Sequence, residues 1–175
     1  MSRDGPPLLS VRNLRTSFFQ DEGTTKAVDG ASFDVHPGKT LGIVGESGCG
    51  KSTLAKVLMG LETASGGLVN LGELDIGALP IEKRDRKTLA AIQMVFQNPF
   101  DTLNPSHSVG AQIIRVLEKF GVGRSQSERE ARMLELLDLV RLPRAFARRM
   151  PRQLSGGQKQ RIGIARAFAG APKVV

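Results

Sequence analysis

Tryptophan and tyrosine are absent from this chain, cysteine occurs once and histidine twice. The lone Cys49 has no partner for an internal disulfide. With only His36 and His107 beside it, it also supplies too few ligands for a zinc cluster of the usual Cys/His kind. Long apolar runs are missing too. Leu89–Phe96 is among the longest and is broken by Gln93, against the roughly 18 to 20 residues that a membrane-spanning helix needs. Met1–Pro7 lacks the apolar core of a secretory signal. These absences lead us to expect a cytoplasmic protein, whose 175 residues suit one packed domain with little room for a second.

Charge is present in excess of one sign: 25 basic residues against 17 acidic give a net charge of +8. That balance raises the question of an anionic partner, nucleic acid or membrane. Basic residues cluster at Lys83, Arg84, Arg86 and Lys87, interleaved with Glu82 and Asp85, and again at Arg141, Arg144, Arg148, Arg149 and Arg152. No aromatic residues alternate with them as base-stacking platforms. The pattern favours a solvated arginine-rich surface and phosphate handling over nucleic-acid binding.

Imperfect alternation over Leu8–Leu14 predicts a strand, and a polar turn at Gln20–Gly23 leads to a second extended stretch, Thr24–Val35. After the turn His36-Pro37-Gly38-Lys39, the apolar run Thr40–Val44 suits a buried strand. Leu54, Val57, Leu58 and Leu61 then repeat at helical spacing over Ser52–Leu61. Leu68–Ile76 alternates again, and Ile92–Phe96 is a second buried-strand candidate. From Asn98 the character changes. Asn98-Pro99 and Asn104-Pro105 punctuate a loop. Two helical stripes follow, Ile113/Ile114/Leu117/Phe120 and Met133/Leu136/Leu137/Val140, the second with a capping box expected from Ser127 and Glu130. A last helix is expected over Gln158–Ala169. A β-rich first half is thus followed by a helical insert.

Gly45-Glu46-Ser47-Gly48-Cys49-Gly50-Lys51-Ser52 fits the phosphate-loop pattern G-x-x-x-x-G-K-[ST] at every fixed position. Glycines let the backbone turn tightly, so that successive N–H groups meet phosphate oxygens without a Cβ in the way. The helix that follows adds the positive end of its dipole. Lys51 can reach the β and γ phosphates of a nucleoside triphosphate, and Ser52 can ligate Mg²⁺. The loop lies between an apolar run and an amphipathic helix, as the motif demands. Cys49 and Glu46 occupy variable positions, suited to packing and to local hydrogen bonding. Leu154-Ser155-Gly156-Gly157-Gln158 is a second informative stretch, with a serine and two glycines opening a helix. By itself it reads either as a second anion-ready helix start or as an ordinary N-cap.

Together, the phosphate loop and Leu154–Gln158 resemble the ABC-type ATPases, and the resemblance runs from Leu8 to Val175. It implies an α/β fold: a P-loop core with an antiparallel β subdomain and a helical subdomain, C-terminally incomplete. The whole chain, residues 1–175, would be a partial nucleotide-binding domain, with residues 98–152 as its helical subdomain. By the resemblance, ATP would be held by residues 45–52 and Thr53, and its adenine would stack on Phe18, with Phe19 as a competitor. Gln97 would contact Mg²⁺ and the attacking water, giving it and Lys51 catalytic roles and Ser52 and Gln97 metal contacts. Ser155, Gly156, Gly157 and Gln158 would press on ATP held by the phosphate loop of a second domain. Ala27–Gly30, Leu41–Gly48 and Gln93–Pro105, above all Thr102-Leu103-Asn104-Pro105, look like the ATP-binding subunits of oligopeptide, dipeptide and nickel importers. Ser106-His107 departs from the arginine usual after that proline. Phe100 and the Ile113/Ile114/Leu117/Phe120 stripe fall where such subunits meet the membrane permease subunits, although core packing also explains them.

The resemblance therefore implies an ATP-hydrolysing importer subunit at the cytoplasmic face of the cell membrane, working as a homo- or heterodimer. The family's Asp-Glu pair and switch histidine follow the signature helix, and Lys173-Val174-Val175 reaches only the first step of that strand. From this we expect the 175-residue chain alone to be poorly stable and nearly inactive, with apolar sheet edge exposed. Two other readings stay open. A soluble ABC-type ATPase of DNA repair or translation would account for the charge, but Asn98–Arg152 has neither cysteine pairs nor sustained heptads. A truncated remnant would bind nucleotide weakly or not at all.

Overall fold

The computed structural model describes residues 5–20, 23–98 and 103–175, with the backbone alone at Phe19 and Gln20. Phe100, named above as facing a partner subunit, and the Phe19 side chain lie outside the described residues. The chain divides into two compact units, Met1–Asp85 with Val174, and Arg86–Lys173 with Val175.

The first unit is built on an antiparallel sheet in the order β2-β1-β3-β4, formed by β1 (Leu9–Gln20), β2 (Gly23–Val35), β3 (Gly66–Leu71) and β4 (Leu74–Asp75). Alternation in β1 puts Leu9 and Val11 on one face, and the irregularity after Val11 brings Leu14 back to it. There they are buried with Val69 and Ile76, and the helix α1 (Lys51–Met59) adds Leu54 and Val57 to the same cluster. Each such side chain removed from water stabilises the unit by about 1.5–3 kcal/mol before ordering costs. β1 is irregular between Val11 and Leu14, where Asn13 takes a positive φ of 47° and its N–H donates to Ser32 Oγ at 2.8 Å. Helix α1 ends at Gly60, not at Leu61, which is 52% exposed beyond that left-handed cap.

Two expected buried strands are absent. Residues 39–46 adopt no regular structure, and Leu41, Ile43 and Val44 are 43%, 45% and 92% exposed. Of Ile92–Phe96, Ile92 alone makes a single bridge, and Phe96 is exposed. An apolar run becomes a strand only where a neighbour completes its ladder of hydrogen bonds. The four described strands all pair elsewhere.

The second unit is helical: α2 (Arg86–Ala91), α3 (Val109–Phe120), α4 (Gln126–Leu139) and α5 (Gly156–Phe168), with short 3-10 turns at Arg144–Arg148 and Pro151–Gln153. Ile113 and Leu117 of α3, Met133, Leu136 and Leu137 of α4, and Ile162 and Ala165 of α5 close one core, with Ile114 partly buried against it. The cap of α4 is Ser125 rather than Ser127. Its Oγ accepts from Glu128 N at 3.2 Å, while Glu128 Oε2 accepts from Arg124 N at 2.7 Å. The same Ser-x-x-Glu spacing occurs at both places, and the turn at Gly123 (φ 79°) selects the earlier one. Among the described residues no helix is long and apolar enough to cross a membrane.

Candidate phosphate-binding site

Helix α1 differs from its neighbours at its start. Serines cap α3, α4 and α5 through Ser108, Ser125 and Ser155, whereas α1 begins from Gly50 with no side-chain cap and no acidic residue in its first turn. The first donors of α1 are thus left without a capping oxygen, at the positive end of the helix. The loop before it is exposed from Gly45 to Cys49. Lys51 folds back over that loop: its Nζ donates to Gly45 O at 2.8 Å and to Glu46 O at 2.7 Å, and lies 3.5 Å from Cys49 Sγ. The ammonium is therefore held against the loop carbonyls, beside the start of α1. Ser52, the next residue, is exposed. A positive charge, uncapped amides and an exposed serine thus lie together at the start of α1, a set of groups suited to a phosphate chain.

What seats the loop is a main-chain contact. Gly50 lies against β2, where a Cβ added to it would stand 2.0 Å from Ala27 O. Two residues along β2, Thr25 pairs with Phe18 of β1. Phe18 is half-buried in that hairpin, about 6–7 Å along the strand from the place where the loop rests. The structure thus puts Phe18 on the hairpin that carries the phosphate loop. Ala27 was not legible as a loop contact, because its carbonyl oxygen, common to every residue type, makes the approach.

The remaining site candidates belong to the second unit. Gln97 is exposed in an irregular segment. Ser155 and Gln158 form a reciprocal capping box: Ser155 Oγ accepts from Gln158 N at 3.3 Å, and Gln158 Oε1 accepts from Ser155 N at 3.0 Å. Buried Leu154 and Ile162 pin this start of α5 into the helical core, leaving Gly157 exposed with open space around its Cα. The stretch is an N-cap, as one reading of the sequence held, and it presents a smooth glycine surface beside that cap.

The chain as a whole is similar to known proteins. A family model described as ABC transporter matches residues 28–175. The chain belongs to the ABC transporter family. The oligopeptide transport ATP-binding protein OppF of Bacillus subtilis strain 168 is 40% identical over 168 residues, covering 96% of this chain and 55% of that protein. The protein of the same name from Escherichia coli K12 is 42% identical over 166 residues, covering 94% of this chain and 49% of the relative. The chain spans about half the length of these curated relatives. Among solved structures, the ATP-binding cassette MJ0796, in a dimeric post-hydrolysis state bound to ADP and Pi, matches with a TM-score of 0.80 at 30% identity. That match covers 94% of this chain and 70% of the other. CbiO1 from Clostridium perfringens, part of the ABC transporter complex cbiONQ, gives a TM-score of 0.78 at 25% identity over 97% of this chain and 64% of its own. The α/β cassette fold expected from the sequence is therefore the fold found.

Proposed function

We propose that this chain is the ATP-binding part of a subunit that hydrolyses ATP to drive a membrane importer for peptides or a related solute. The observation that carries the reading is the uncapped start of α1 with Lys51 Nζ bound over the loop carbonyls of Gly45 and Glu46. Incoming phosphate oxygens would take the place of those carbonyls as partners of Lys51, while the amides of the loop and of the first α1 turn bind the remaining oxygens. Ser52 would hold Mg²⁺, and by the family resemblance Gln97 would contact it and the attacking water. A Mg²⁺ held there would supply charge neutralisation for phosphoryl transfer. Phe18 would stack on the adenine.

Ser155, Gly156, Gly157 and Gln158 would close on ATP held by a second nucleotide-binding domain, the same chain or a related one. The dimeric MJ0796 structure supports such a pairing for that protein. Residues 98–152 would form the helical subdomain facing the permease subunits, and the assembly would lie at the cytoplasmic face of the membrane. The names of the OppF relatives support a peptide as the transported solute. The test is reconstitution of the full-length subunit with its permease partners in lipid vesicles. Peptide-stimulated ATP hydrolysis that Lys51→Ala abolishes is the expected result. Hydrolysis indifferent to permease and peptide would refute the transport reading.

A further inference from the structure

Arg84 was read from the sequence as one of a solvated basic cluster, and the structure places it elsewhere. It is only 6% exposed. Among the described residues, its guanidinium donates to four main-chain carbonyls. Nη1 donates to Leu58 O at 2.6 Å and Nη2 to Val57 O at 3.2 Å, both on the last turn of α1. Nη2 also donates to Ile76 O at 2.9 Å, and Nε to Leu79 O at 3.0 Å, both in the segment that follows β4. One planar group thus ties the C-terminal carbonyls of α1 to the turn leaving the sheet, with a cation at the negative end of the helix. Gly60 leaves room for it: a Cβ there would lie 2.7 Å from Arg84 Cζ and Nε. Burial lowers the Arg84 pKa from the ordinary guanidinium value, yet such a group stays charged throughout the range in which proteins fold.

We propose that Arg84 is a positioning residue for the phosphate loop, fixing the far end of the helix whose near end is to hold the phosphates. Helix α1 has nine residues and is about 13–14 Å long, so it moves as a short rigid rod. Its N-terminus rests on β2 through Gly50, and its C-terminus is held by the Arg84 fork. Release of the second anchor lets the rod tilt, and the amides around Lys51 then miss the oxygens they are to meet. Lysine in place of Arg84 keeps the charge but cannot span four carbonyls with one planar fork. This inference rests on the nucleotide-binding reading above, and its test separates the two.

The experiment compares full-length wild type with Arg84→Lys, Arg84→Met and the core variant Leu9→Ala, well below their melting temperatures. MgATP affinity is measured by calorimetry, and amide hydrogen exchange is followed without nucleotide over Leu54–Met59, the stretch of α1 whose amides are hydrogen-bonded within the helix. Arg84→Met is expected to weaken MgATP binding at least tenfold and to speed exchange of the hydrogen-bonded α1 amides at least tenfold. Arg84→Lys falls between and remains usable if Arg84→Met does not fold. Leu9→Ala lowers the melting temperature yet leaves affinity within twofold, because it removes core volume without releasing α1. Wild-type affinity and exchange in a folded Arg84 variant would overturn the proposal, as would an equal loss of affinity in Leu9→Ala. If wild type binds no MgATP the nucleotide reading fails, and the exchange comparison still decides whether Arg84 fixes α1.

Discussion

Gly50→Ala is the substitution that reports most sharply on how the phosphate loop is seated. Gly50 has φ 96° and ψ 0°, a left-handed conformation that costs an L-residue about 1–2 kcal/mol. A Cβ there would stand 2.0 Å from Ala27 O and 3.2 Å from its carbonyl carbon. A carbon and a carbonyl oxygen ordinarily rest about 3.3 Å apart, so the loop or β2 has to move by more than 1 Å. Displacement of that kind in a packed region adds about 1–3 kcal/mol, for a total of roughly 2–5 kcal/mol. Gly48→Ala isolates the first contribution: its φ is 84°, and nothing lies within 4 Å of the added Cβ. Gly157→Ala, in open space on α5 and without a positive φ, is neutral or gains up to about 1 kcal/mol. For a unit the size of Met1–Asp85, each kcal/mol shifts the melting temperature by about 4–8 °C. Calorimetric melting of the three variants should therefore rank Gly157→Ala above Gly48→Ala and Gly50→Ala lowest by a clear margin. Gly50→Ala melting with or above Gly48→Ala would show that the loop does not rest on Ala27.

Three further outcomes follow from the same structure. Ser155→Ala removes the α5 cap and should cost about 1 kcal/mol, with Ser155→Asp restoring most of it in denaturant titrations; no change would mean that the Ser155–Gln158 box contributes nothing. Val44→Thr should alter stability by less than about 0.5 kcal/mol because Val44 is 92% exposed, whereas a loss of several times that would place Val44 in a core. Hydrogen bonding to Arg144 holds Asp138 below the ordinary carboxylate pKa. Its contribution is therefore complete above the ordinary carboxylate range and is lost as pH falls through the lowered value. Melting curves between roughly pH 5 and pH 2 should show a shallower acid decline for Asp138→Asn than for wild type, and parallel curves would refute the coupling.

Legibility in the sequence followed the scale of the interactions. Leu9 and Val11 were readable because alternation is a local property, as were the stripes of α3 and α4, whose apolar spacing is the helical period itself. Thr40–Val44 misled because its composition is that of a buried strand, while the strand state depends on neighbours that a local pattern does not contain. Ser125 and Ser127 offer the same cap spacing, and a glycine turn upstream decides between them. Arg84 carried the opposite signal to its place: a basic residue among basic residues is read as solvated, yet its partners are main-chain carbonyls. The phosphate-loop pattern was legible because its glycines and lysine occupy fixed positions. Its seat on Ala27 O was not, since backbone oxygens leave no mark in a sequence.

The central claim is that residues 45–52 hold the phosphates of ATP through Lys51 and the open start of α1. Titration of the full-length protein with MgATP by calorimetry, for wild type and Lys51→Ala, tests it most directly. Loss of the charged hydrogen bonds from Lys51 should weaken binding by about 2–3 kcal/mol, roughly 30- to 150-fold, with the melting temperature of the nucleotide-free protein little changed. Equal affinities in the two proteins, or no binding by wild type, would contradict the account.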